Sequence, residues 1–173
     1  MATLRRFPSM IFALLLGGGS AQAESEAGVK AAYLINFAKF VEWPASAFAS
    51  AKAPLVIGIV GRDAVGEELL RAGGVTASGH PVEVRRIAAA EARECHLVFI
   101  TESERGDAII AALQGSPVLV VGEGDGFARR GGALGFVKDG GSVKFEANPK
   151  AAARNGLNVS AKLLRVARAV IEK

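Results

Sequence analysis

Across 173 residues there is one cysteine, one tryptophan, one tyrosine and two histidines. The lone thiol, Cys95, excludes an intramolecular disulfide. It abuts the apolar run Leu97-Val98-Phe99-Ile100, so it is expected to pack as a small buried hydrophobe. His80 and His96 stand at no metal-ligand spacing. His96 follows Cys95 directly, but neighbours on an extended chain point to opposite faces, so the two make no catalytic dyad. A GxSxG elbow and a phosphate-binding P-loop are both missing. Gly58, Gly61 and Gly66 are spaced GxxGxxxxG and not GxGxxG, and they read as strand and turn glycines. After Arg5-Arg6, basic residues adjoin only in the pairs Arg85-Arg86 and Arg129-Arg130, which leaves no footprint for nucleic acid. These absences argue against an enzyme, a bound metal or cofactor, and a nucleic-acid binder.

Long apolar runs are missing too. The longest stretch near the start, Met10 to Leu16, is too short for the about 20 residues that span a bilayer. Arg5 and Arg6 precede it, and Ala21-Gln22-Ala23 follows as a small-x-small cleavage site. Residues 1–23 are therefore expected to be a cleaved signal peptide of the bacterial periplasmic kind, and residues 24–173 the mature domain, with no membrane insertion. Removing Arg5 and Arg6 lowers the formal net charge from +4 to +2. A domain of this length can bury a substantial core.

What is present is an aromatic opening and a strand-rich middle. Tyr33, Phe37, Phe40, Trp43 and Phe48 crowd one short stretch. Val29, Tyr33, Phe37 and Phe40 fall on one stripe of a helix expected over 28–42, ended by Trp43-Pro44. Leu55 to Val60, Leu97 to Ile100 and Val118 to Val121 are continuous apolar runs, the pattern of strands buried on both faces. Val82 and Val84 alternate with charge, as in a half-buried strand. Helices are expected over 64–72 behind the capping Asp63, over 104–114 behind Ser103, and from Ser160 to the end. Asp139-Gly140-Gly141 joins two further strands as a hairpin. The order implies an α/β fold, a three-layer α/β/α sandwich with a mixed, mostly parallel sheet.

Two candidate sites follow. Ligands of open α/β sheets bind beyond the carboxyl ends of parallel strands. The three buried runs lead into loops that would bring Arg62, Asp63, Thr101, Ser103 and Asp125 to one edge, although capping alone also explains Asp63 and Ser103. In the aromatic helix, Tyr33, Phe37 and Phe40 suit packing on the sheet. Ile35 on the opposite face and Trp43 at the end are surplus apolar groups, as expected of a protein-contact surface.

Three blocks, VKAAYLINFAKFVEWP (29–44), PLVIGIVGRD through CHLVFI, and GGALGFVKDGGSVKFEANPKAAARNGLNVSAKLLRVA, together resemble the YfiR-like family of small periplasmic proteins. The blocks keep their order over nearly the whole mature chain. The resemblance implies an α/β/α sandwich, a homodimer and a regulatory role without catalysis. It further implies an inner-membrane partner, a diguanylate cyclase or another sensor such as a histidine kinase, and an influence on cyclic di-GMP and biofilm formation. Best-known members carry several cysteines; with Cys95 alone, redox control through an internal disulfide is not expected here. The alternative is a periplasmic small-molecule binder that uses the strand-end loops.

Overall fold

The computed structural model describes residues 24–102 and 106–172. The expected signal peptide (1–23), and Ser103 with the helix start expected behind it, lie outside the described residues. Helix α1 (Glu26–Phe40) begins where the Ser25 hydroxyl accepts the Gly28 N–H at 3.0 Å. It stops before Trp43-Pro44, because Val41–Glu42 (β1) pair antiparallel with Asn158–Val159 (β9). The backbone of Ser160 also donates to the Phe40 carbonyl, at 3.0 Å.

The main sheet contains β2 (Leu55–Val60), β3 (Thr76–Ala77), β4 (His80–Arg86), β5 (Leu97–Ile100), β6 (Leu119–Glu123), β7 (Leu134–Asp139), β8 (Ser142–Ala147) and β10 (Ala169–Val170). Their order across the sheet is β10-β8-β7-β6-β5-β2-β4-β3. Strands β4, β2, β5, β6 and β7 run parallel; β8 and β3 are antiparallel to their neighbours β7 and β4. The β7–β8 turn places Gly140 at φ 56° and Gly141 at φ 82°, the left-handed pair that a two-residue hairpin loop requires.

Helices cover both faces. On one side α1, α2 (Ala64–Arg71) and α5 (Ala161–Val166) share a core with Leu55, Ile57, Phe99, Phe136 and Phe145. Tyr33 and Phe37 lie there against Phe136 and Phe145, with ring centroids 4.9 to 6.1 Å apart. Phe37 is fully buried, and burial of a side chain of this size contributes about 2 kcal/mol. On the other side α3 (Gly106–Leu113) and the 3-10 turn Ala89–Glu94 pack on Val56, Val98, Ile100 and Val120. The expected three-layer sandwich with a mostly parallel sheet is therefore present.

Glycines admit two bulky groups on this second face. Cys95 is a buried free thiol lying over Gly58, where a Cβ would stand 2.6 Å from its sulfur. Burial pushes its pKa up. Phe127 sits in a niche floored by Gly122 and Gly132, where a Cβ would come within 2.3 and 2.1 Å of its ring.

The end of the chain departs from expectation. The last helix stops at Val166, and Ala169–Val170 form β10, parallel to β8. The outer edge of β8 accepts the backbone N–H groups of Arg168 (2.8 Å, Phe145 carbonyl) and Ile171 (2.7 Å, Ala147 carbonyl). Satisfying that open edge outweighs continuing a short helix. Short α4 (Pro149–Arg154) is capped by Asn148, which accepts the Ala151 N–H at 2.9 Å.

Candidate functional site

Parallel strands put their carboxyl ends on one edge. Beyond β2, Gly61 (φ 96°) turns the chain and the Asp63 carboxylate accepts the Gly66 N–H at 2.8 Å, capping α2. Beyond β5 comes Thr101, 2 % exposed, and beyond β6 comes Gly124-Asp125. The neighbours of β2 are β4 on one side and β5 on the other. The winding reverses there, the usual place for a ligand crevice.

A cleft of 580 Å³ opens on this edge, but displaced toward α1. Its walls are the first turns of α1 (Glu26, Lys30), the end of β6 (Glu123), the loops carrying Glu102 and Asp125, and β7 from Phe136 to Lys138. A ladder of charges crosses it. Lys138 pairs with Glu26 Oε2 at 3.0 Å, Glu26 Oε1 with Lys30 at 2.9 Å, and Lys30 with Glu123 Oε2 at 3.1 Å. Lys30 Nζ also lies 5.9 Å from the centre of the Phe136 ring. The Lys30 side chain is 11 % exposed and that of Glu123 10 %. Glu123 Oε1 is buried and has no hydrogen-bond partner.

The two members of the buried pair shift the same way. Burial opposes the charge of Lys30, but hydrogen bonds and attraction from Glu26 and Glu123 outweigh it and raise its pKa. Burial raises the pKa of Glu123; Lys30 opposes this, while Asp63 and Glu102 push it further up. The asymmetry has a geometric cause: Lys30 holds two carboxylates, and Glu123 holds one cation and an orphan oxygen.

Of the residues expected here, Asp125 lines the cleft. Thr101 and Asp125 both border an adjoining hollow of 200 Å³. Arg62 and Asp63 are not among the walls of the cleft, Arg62 being exposed and Asp63 engaged in its cap. Ser103 lies outside the described residues. Glu26, Lys30, Glu123 and Phe136 were not anticipated. Lys30 could have been noticed, since it shares the helical stripe of Tyr33, Leu34 and Phe37 and stands four residues after Glu26.

The groups of the expected contact surface differ in exposure. Ile35 is only 7 % exposed, because α2 covers the face of α1 that a single apolar stripe would have left open. Trp43 is half-buried, and its indole N–H donates to the His96 carbonyl at 3.0 Å. Phe40, expected on the sheet, is instead 38 % exposed at the end of α1. Behind Trp43 the Phe48 ring is stacked between His80 and His96, at 3.8 and 4.3 Å. His96 Nδ1 accepts the Val56 N–H at 3.0 Å, so Nε2 carries the proton and donates to the Ala47 carbonyl at 2.9 Å. Burial holds the pKa of His96 below its usual value.

A family model described as YfiR/HmsC-like matches residues 27–168. The chain belongs to this family. The match runs from the first turn of α1 to the residue before β10, so it includes the Phe48 stack, both cores and every wall of the cleft except Glu26. It bears out the resemblance carried by the three sequence blocks. No curated protein matches the chain. Among solved structures, one similar chain is the ABC domain in complex with L-Trp from Streptococcus pneumonia, with TM-score 0.47 and 14 % identity over 67 % of this chain and 55 % of that one. The chain thus spans about half the length of that structure. Among the described residues no helix is long and apolar enough to cross a membrane.

Proposed function

We propose that this YfiR/HmsC-like chain is an exported, periplasmic regulator that docks on an inner-membrane sensor and restrains it. The observation that carries this reading is the family match over 27–168. The sensor would be a diguanylate cyclase, with cyclic di-GMP and biofilm formation as the output, or a histidine kinase. In mechanism, the regulator binds the inactive conformation of the sensor better than the active one and so shifts its population. Half-exposed Phe40 and Trp43 at the end of α1 are the proposed docking groups; Ile35, buried under α2, holds in place the helix that carries them. The regulator would act as a homodimer, checked by its mass in solution.

The test is crosslinking in the native periplasm followed by identification of the adduct. A membrane protein with a cyclase or kinase domain, lost with Phe40→Asp in a folded protein, supports the reading. Adducts unaffected by Phe40→Asp and Trp43→Ala would remove this surface from the interface.

A second reading, ligand binding at the strand ends, is favoured by the 580 Å³ cleft, a size usual for small-molecule sites. A regulator that also takes a ligand combines the two readings.

A further inference from the structure

We propose that the cleft between α1 and the ends of β6 and β7 binds a small organic cation, an aliphatic amine or guanidinium compound, with Glu123 as its principal acceptor. This deepens the ligand reading and is independent of the docking reading.

The ladder Lys138–Glu26–Lys30–Glu123 uses every carboxylate oxygen except one. Glu26 gives one oxygen to each lysine, and Glu123 gives Oε2 to Lys30. Glu123 Oε1 alone has no donor, on a side chain nine-tenths buried and lining the cleft. A buried carboxylate oxygen without a donor is a costly arrangement that folded proteins rarely keep. A turn of the Glu123 carboxylate, which already lines the cleft, presents this oxygen to a ligand N–H, the group that completes it.

Charge selects the ligand's sign. The cleft is lined by four carboxylates, Glu26, Glu102, Glu123 and Asp125, against the two ammonium groups of Lys30 and Lys138. Both lysines are already paired, so an anion would find no free partner in the ladder and would face the surplus carboxylates. A cation restores the balance and needs several donors to serve Glu123, Glu102 and Asp125 together.

Size and lining select an organic cation over a bare ion. No group of three or more histidine, cysteine or acidic side chains among the described residues could hold a metal ion. The cleft is far larger than one ammonium group, and Phe136 and Val137 provide an apolar wall for an aliphatic body. The raised pKa of Glu123 agrees with a site built for a missing positive charge.

The experiment is calorimetry and thermal melting of the mature protein with putrescine and with agmatine, and with succinate as the anionic control. At least one amine should raise the melting temperature and bind with measurable heat. Affinity should climb with pH as Glu123 loses its proton. Glu123→Gln should weaken that amine at least tenfold. Because this substitution also disturbs the Lys30 pair, the exposed double variant Glu102→Gln/Asp125→Asn provides a second measure, expected to weaken binding severalfold while melting like the parent.

Unchanged amine affinity in folded Glu123→Gln would overturn the proposal, as would an amine response that is equal in both variants and the parent. A shift with succinate and none with the amines would also overturn it, while leaving the strand ends as a ligand site. No shift with any of the three would count against the cation site directly, and the docking reading would be unaffected.

Discussion

Phe127 and the glycines beneath it show how single atoms set this fold. The ring occupies space that a Cβ at Gly132 or Gly122 would need, at 2.1 and 2.3 Å. Gly132→Ala is therefore expected to destabilise by about 1–3 kcal/mol through overpacking, and Phe127→Ala by about 3–5 kcal/mol through the cavity it leaves. In the Phe127→Ala background the Gly132 substitution should cost much less, because the clash is gone. Denaturant titration of the four proteins measures this coupling; strict additivity would show that the niche can relax. His96 makes a pH prediction at the same scale. Its folded pKa is depressed, since burial disfavours the charged ring and Nδ1 already accepts from Val56. The unfolded ring titrates near about 6.5, so the contribution of the neutral ring is complete above that pH and is lost as pH falls toward the folded pKa. The groups facing it are His80, across Phe48, and the Ala47 carbonyl. Stability should fall as pH drops below about 6.5, and the slope should flatten in His96→Asn. An equal slope in the variant would assign the loss to carboxylates elsewhere.

Elements differ in how far their own residues announce them. Strands β2 and β5 were legible as uninterrupted apolar runs because both of their faces are covered, and the β7–β8 turn because two glycines at positive φ leave little else. The end of the chain was not legible. Leu163, Leu164, Ala167, Val170 and Ile171 suit one helix as well as a helix followed by a strand, and the choice depends on the distant open edge of β8. The cleft was half legible for a similar reason. Strand ends placed Asp125 near it, but Lys30 and Glu123 meet only because α1 crosses the sheet at β6 and β7. The β10 account has a direct test. Ending the chain at Val166 removes the two backbone bonds to β8 and the buried Ile171. Ile171 alone should cost about 2 kcal/mol, and the uncovered edge should promote self-association. A lowered melting temperature with increased light scattering is expected; an unchanged melt would mean that β10 contributes nothing.

At the scale of the whole molecule, α1 links the two proposed surfaces. Its first turns form one wall of the cleft and its last residue, Phe40, stands exposed at the other end. A helix of 15 residues spans about 21 Å between its first and last Cα atoms. Groups that far apart, with no shared partner, act additively. Phe40→Asp should thus leave the amine-induced melting shift intact and alter stability by less than about 0.5 kcal/mol, as surface substitutions do, while abolishing the sensor adduct. Ile35→Asp tests the same helix from its buried side. It places a charge under α2 without a partner, and should destabilise by more than about 3 kcal/mol, losing docking and ligand response together. Separation of the two effects in Phe40→Asp, and their joint loss in Ile35→Asp, distinguishes a docking surface from the scaffold that carries it. If Phe40→Asp also weakened the amine, the two ends of α1 would be energetically coupled. The cation in the cleft would then be the signal that sets the regulator's grip on its sensor, since coupling between two ligands is reciprocal.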